Sequence, residues 1–114
     1  MTIHLVEDDV AVRDSLMLLL ASMGHRVACY PDGESFVGAA PPAGGDQVLV
    51  DLALPGISGA AVIAWLQAFD DPPRIIAMSG QPRPVLSTQL RDVRVACVLR
   101  KPLDADAVAA SLAG

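Results

Sequence analysis

The sequence predicts one doubly wound α/β domain over residues 1–114: a five-stranded parallel sheet with helices on both faces. Three observations predict it. Short apolar runs alternate with helix-period segments from one end of the chain to the other. The runs are nearly continuous in Val, Ile and Leu, as strands buried on both faces must be. No internal repeat, linker or low-complexity tract interrupts the alternation.

Taken in order, Ile3 to Val6 is a buried-strand candidate that ends in Glu7, Asp8 and Asp9. From Val10 to Met23, apolar residues recur at Val12, Leu16, Leu19, Leu20 and Met23, a helical stripe that stops at Gly24. Arg26 to Tyr30 is a short second strand, and Pro31-Asp32-Gly33 turns the chain into a helix around Glu34 to Ala40. Gln47 to Leu52 is the third strand, with Asp51 near its C-terminal end. Leu54-Pro55-Gly56 breaks the chain, and Ser58 can cap a helix of Gly59 to Phe69 that Pro72 and Pro73 end. Arg74 to Met78 makes the fourth strand and leads to Ser79-Gly80. The next helix is placed at Val85 to Asp92, because Pro82 and Pro84 are expected to delay its start. Val95 to Leu99 is the fifth strand, and Asp104 to Leu112 the last helix, after Lys101-Pro102.

Composition excludes several classes. The chain is 53% hydrophobic and 18% charged, the reverse of a disordered sequence. Its apolar runs, such as Leu16 to Ala21, fall far short of the roughly 20 residues a bilayer demands. Two cysteines, Cys29 and Cys97, make no disulfide framework; reduced thiols and a cytoplasmic home are the simpler reading. Only 4% of residues are aromatic, so an aliphatic core is expected, and a base-stacking nucleic-acid module is not. The net charge of −5 argues against direct nucleic-acid binding as well. That charge is uneven. Of the acids, only Asp92, Asp104 and Asp106 lie beyond Asp71, whereas of the bases only Arg13 and Arg26 precede it.

In such a sheet, ligands bind at the C-terminal strand ends, near the point where strand order reverses. Glu7, Asp8 and Asp9 end the first strand, Asp51 the third, Ser79 the fourth and Lys101-Pro102 the fifth. If the first and third strands are neighbours, carboxylates converge there, and like charges at close range oppose folding unless a cation is present. A hard divalent ion such as Mg²⁺, with Mn²⁺ able to substitute, removes the conflict. Lys101 adds a second cation and Ser79 a hydroxyl. These parts compose a phosphoryl site: Asp51 as carboxylate nucleophile, Glu7 and Asp8 holding the metal, Lys101 and Ser79 binding the phosphoryl oxygens. Asp9 reads as a helix cap, His4 as a core or sheet-packing residue, His25 as surface and Trp65 as partly exposed.

These residues, in this order, resemble the receiver domain of two-component response regulators, over essentially the whole chain. Glu7-Asp8 matches the acidic pair after the first strand. The segment from Asp51 through Pro55 and Gly56 to Gly59 matches the phosphoacceptor stretch, Ser79-Gly80 the hydroxyl-small pair and Lys101-Pro102 the Lys-Pro pair. The opening stretch, from Ile3 through Val12-Arg13-Asp14-Ser15-Leu16, looks most like the nitrogen-fixation type of regulator. The resemblance implies a flavodoxin-like strand order of 2-1-3-4-5. It implies Asp8 and Asp51 as direct metal ligands, Glu7 as a ligand through water, and the Ala53 carbonyl as completing the protein share. It also implies a sensor histidine kinase or phosphotransfer protein as phosphoryl donor. Downstream it implies an output domain, a protein partner or a dimer through the face between the fourth and fifth helices.

Two departures stand out. Val98 occupies the position, three residues before the Lys, where the family carries a switching Tyr or Phe. Residues 81–94 hold two prolines and lack the family's Ala-Gly before the fifth strand. Ala53 offers an attacking water no side-chain contact, though Gln81 could. Alternatives therefore stay open: a phosphorylation-independent adaptor on the same fold, or an Asp-nucleophile phosphatase. The phosphatase would need an acid where Ala53 stands. A nucleotide or flavin module would need a Gly-rich or hydroxyl-rich loop after the first strand, and none is there. Members of the nitrogen-fixation branch usually carry a C-terminal helix-turn-helix domain. A self-contained receiver of this length acts by binding other proteins or relaying phosphoryl groups; a piece of a longer regulator leaves the output to the missing part.

Overall fold

The apolar strings hide a period of two that only packing makes visible. In the computed structural model, which describes residues 1–113, the elements run β1 (Thr2–Val6), α1 (Val10–Ser22), β2 (Arg26–Tyr30), α2 (Gly33–Val37), β3 (Gln47–Asp51), α3 (Gly59–Gln67), β4 (Arg74–Ser79), α4 (Arg83–Gln89), β5 (Cys97–Arg100) and α5 (Ala105–Ala113). The strands pair in parallel in the order β2-β1-β3-β4-β5. Ile3, Leu5, Leu49, Ile76, Met78 and Leu99 face one way, onto Leu16 and Leu20 of α1 and Val108 of α5. Val6, Val48, Val50, Ile75 and Ala77 face the other way, onto Phe36 of α2 and Val62, Ile63 and Leu66 of α3. Each strand is thus apolar on both faces because each face has its own layer of helices.

The caps fall on residues suited to them. Asp9 Oδ1 accepts from the Ala11 and Val12 amides, Asp32 Oδ1 from Ser35, Ser58 Oγ from Ala61 and Asp104 Oδ2 from Ala107. Gly24, at φ +87°, ends α1 in the left-handed region.

Four expectations are corrected. The fourth helix opens at Arg83, not Val85: Pro82 is its N-cap and Pro84 lies in its first turn, where a missing N–H leaves nothing unpaired. Strand β5 spans Cys97–Arg100, starting two residues later and ending one residue later than expected, and Val95 packs instead against the α2–α3 face. The second helix stops at Val37. His25 is half-buried, not surface.

The core is not wholly aliphatic either. Phe36 is buried and sits 5.0 Å from Tyr30 and 5.9 Å from Trp65, which in turn lies 4.8 Å from Phe69 (ring centroids). The few aromatics are gathered into one edge-to-face chain. His4 joins it, 6.1 Å from Tyr30.

His4 Nε2 lies 2.9 Å from Asp46 Oδ2 and donates to it, so this buried histidine tethers the loop before β3 to β1. The Thr2 and Ala43 amides donate to the same carboxylate at 2.9 and 3.0 Å. Burial alone would raise the Asp46 carboxyl, but the donations from His4, Thr2 and Ala43 outweigh it and bring the group from 3.8 down to about 2. Its stabilising contribution is therefore complete above pH 3.8 and is lost as pH falls through about 2. Asp46→Asn should cost about 2 kcal/mol at neutral pH. In urea titrations the gap from wild type should narrow on acidification through that window; a constant gap would contradict the assignment.

Candidate functional site

The C-terminal ends of β1, β3, β4 and β5 meet at one edge of the sheet. Glu7 follows β1, its amide continuing the ladder to the Tyr30 carbonyl at 3.1 Å, and its side chain is fully buried. Asp51 closes β3 and is 4% exposed, while Asp8 stands in solvent beside them. Oxygens of Glu7, Asp8 and Asp51 lie within 4.8 Å of one another. From β5, Lys101 Nζ reaches Glu7 Oε1 at 2.6 Å and Asp51 Oδ2 at 3.2 Å.

The remaining bonds fix these carboxylates in place. Asp51 Oδ1 accepts from the Ala53 amide at 3.1 Å, and Glu7 Oε2 from the Asp9 amide at 3.2 Å. Ser79 is buried, its hydroxyl accepting from the Gln81 amide at 3.1 Å. The Lys101 amide donates to the Ser79 carbonyl at 2.9 Å, which sets the lysine beside the serine. Pro102 follows and is exposed. Gly80 is exposed too, and a methyl group there would meet only Lys101 Cβ at an ordinary 3.5 Å.

Gly59 is different. A Cβ on it would lie 2.3 Å from the Asp51 carbonyl and 2.6 Å from Leu52 Cα, so the N-terminus of α3 can press against the end of β3 only because it begins with glycine. Gly56, at φ +66°, turns the intervening loop, whose Ile57 amide is held by the Glu34 carboxylate at 3.3 Å.

The site is short of positive charge. Burial pushes the Glu7 carboxyl up to about 7; the Lys101 ammonium opposes that rise, and Asp51 adds to it. Burial works against the charge of Lys101, yet Glu7 and Asp51 outweigh it and the ammonium is held more firmly than usual. One ammonium facing three carboxylates leaves room for a divalent cation, and the donor set of hard oxygens is the one that Mg²⁺ prefers. Glu7, Asp8 and Asp51 could hold such an ion.

Sequence reasoning missed two arginines. Arg13 Nη1 donates to the Glu7 carbonyl at 3.0 Å, pinning the end of β1 to the first turn of α1. Arg100 donates from its guanidinium to the Gln81 carbonyl. No local pattern announces either bond. Val98 is half-buried against the α2–α3 face. Beside Lys101, a cleft of about 320 Å³ is lined by Ala11, Val12, Ser15 and Leu16 of α1 and by Pro102 and Leu103.

Residues 3–113 match the family model described as the response regulator receiver domain. The chain is 30% identical to the transcriptional regulatory protein FixJ of Bradyrhizobium diazoefficiens over 96% of its own length and 54% of the relative's. It is 32% identical to FixJ of Azorhizobium caulinodans, over 96% and 52% respectively. The chain thus spans about half the length of these curated relatives. The chemotaxis response regulator CheY4 of Vibrio cholerae shares the fold at a TM-score of 0.86 and 18% identity, over 98% of this chain and 95% of that one.

Proposed function

The chain belongs to the response regulator receiver domain family, and from that premise we propose that it is a phosphoacceptor switch taking a phosphoryl group onto Asp51. The observation that carries this reading is a nearly buried carboxylate, Asp51, with an ammonium 3.2 Å from one oxygen and two further carboxylates in reach. An Asp51 oxygen attacks the phosphorus of a phosphohistidine on a sensor kinase or phosphotransfer protein. The new P–O bond forms as the P–N bond breaks, and the imidazole leaves with the electron pair and takes up a proton. Mg²⁺, or Mn²⁺ in its place, would supply charge neutralisation between Asp51 and the phosphoryl oxygens. Asp8, Asp51 and the Ala53 carbonyl are the proposed direct ligands, with Glu7 acting through water.

The chain's own residues do the rest. Lys101 binds a phosphoryl oxygen while it balances Glu7, and Ser79 donates its hydroxyl to another. Burial of Asp51 keeps water from competing with the donor. Such a domain modifies itself and turns over no metabolite. We place it in the cytoplasm, with a protein partner, an output domain or a second copy engaged through α4, β5 and α5. No helix among the described residues is long and apolar enough to cross a membrane.

One further reading has an observation in its favour. Val98 replaces the switching aromatic, and α4 buries none of its residues, which suits an adaptor whose binding ignores phosphorylation. Partner binding unchanged by beryllofluoride would favour that adaptor. The phosphatase alternative has nothing to protonate a leaving group at Ala53.

The test is incubation of the folded chain with acetyl phosphate. One phosphoryl mass should be gained with Mg²⁺ and none with chelator. No gain at saturating donor and metal would overturn the reading.

A further inference from the structure

Strand β5 presents Val98 and Arg100 on one face, since side chains two apart point the same way. Val98 packs against the α2–α3 cluster, so Arg100 lies on the face of β5 where an aromatic switch would move. Arg100 is exposed, yet its guanidinium is not free: it donates to the Gln81 carbonyl. The Gln81 amide in turn donates to Ser79 Oγ at 3.1 Å. Ser79 and Arg100 are register partners across β4 and β5, so the three residues close a small ring at the strand ends.

We infer that Arg100 is a positioning residue for Ser79, acting through the backbone of Gln81, whose N–H and C=O lie in successive peptides. This rests on the phosphoacceptor reading of Asp51. A serine hydroxyl has one proton to donate and two lone pairs to accept with. Accepting from the Gln81 amide uses a lone pair and leaves the proton to point at an incoming phosphoryl oxygen. The Gln81 amide can hold the hydroxyl in that sense only while the residue's φ and ψ are fixed, and Arg100 grips the carbonyl of the peptide that follows, on the other side of the Gln81 Cα.

The same grip extends to α4. Gln81 is followed by Pro82, whose fixed φ passes a rotation of the loop to the helix start, where the Pro82 carbonyl accepts from Leu86 at 3.0 Å. With no aromatic at Val98, Arg100 is the β5 side chain bonded to the loop that would sense the phosphoryl group. When Ser79 moves, Arg100 either follows or is released to solvent on the α4–β5 surface.

Two measurements test this. In the first, amide hydrogen exchange on the unphosphorylated protein, Gln81 should exchange faster in Arg100→Ala and near wild type in Arg100→Lys, which keeps a donor. Unchanged Gln81 protection in Arg100→Ala would overturn the inference whether or not the chain is ever phosphorylated. In the second, labelling by acetyl phosphate at saturating Mg²⁺, Arg100→Ala should lower the maximal rate about three- to ten-fold, one hydrogen bond's worth. The donor concentration giving half that rate should not change.

In a Ser79→Ala background the same substitution should have no further effect, because the residue it acts through is gone. An equal slowing in both backgrounds, or none in either, would overturn the role assigned to Arg100. A wild type that fails to label while Gln81 responds as expected would remove the phosphoacceptor reading and leave the Arg100–Gln81 link standing without its catalytic purpose.

Discussion

Asp51→Asn is expected to abolish phosphoryl incorporation while leaving the fold intact. The amide is nearly the same size and shape, so the Ala53 amide still has an oxygen to donate to, and Lys101 keeps its 2.6 Å contact with Glu7. What disappears is the anionic nucleophile. An amide oxygen carries no charge to direct at phosphorus, and loss of a nucleophile costs at least about a thousand-fold in rate. Stability without metal should not fall, because the substitution also removes a charge that raises the Glu7 carboxyl. Intact mass after incubation with acetyl phosphate reads the first effect, and a urea titration reads the second. Labelling of the variant above about a tenth of wild type would contradict the assignment, given the size of that loss. It would point to another carboxylate, with Asp8, exposed and within 4.8 Å, the accessible candidate.

The strand ends were legible because buried parallel strands advertise themselves twice. They are continuous apolar runs, and a charge at the end of such a run has few reasons to be there. Asp51 after Val48-Leu49-Val50 and Glu7 after Leu5-Val6 are of this kind. The pairings that hold the site are a different matter. Lys101 and Glu7 are 94 residues apart, and His4 and Asp46 are 42 apart. Periodicity can place each on a strand end or in a strand, but only the strand order decides which ends touch. The errors at α4 and β5 have a local cause. Pro82 and Pro84 read in sequence as delaying the helix, whereas in the first turn a proline gives up nothing. Val93 and Val95 carry the apolar signal of a strand but spend it on packing, so β5 begins later and ends on Arg100. Arg13 and Arg100 both donate to backbone carbonyls, and a carbonyl leaves no mark on sequence.

Lys101→Met is the variant that separates charge balance from catalysis. Methionine keeps most of the apolar stem and removes only the ammonium. Glu7 and Asp51 then face one another with no cation between them. Breaking a buried pair by removing one partner commonly costs 3–5 kcal/mol, and because Lys101 keeps 23% of its side chain exposed, a loss of about 2 kcal/mol is expected in metal-free buffer. Adding Mg²⁺ should return most of that loss, since a divalent ion neutralises the same oxygens. The midpoint gained on metal addition should therefore be larger in the variant than in wild type. Phosphorylation should respond otherwise. With Mg²⁺ saturating and stability restored, the labelling rate should stay about a hundred-fold or more below wild type, because a positioned donor to the phosphoryl oxygens is missing from the transition state. Recovery of both quantities with metal would mean that Lys101 is a counter-ion and nothing more. Recovery of stability alone assigns the ammonium to the phosphoryl oxygens, and the ion pairs with Glu7 and Asp51 become the resting position of a group whose working partner arrives with the donor.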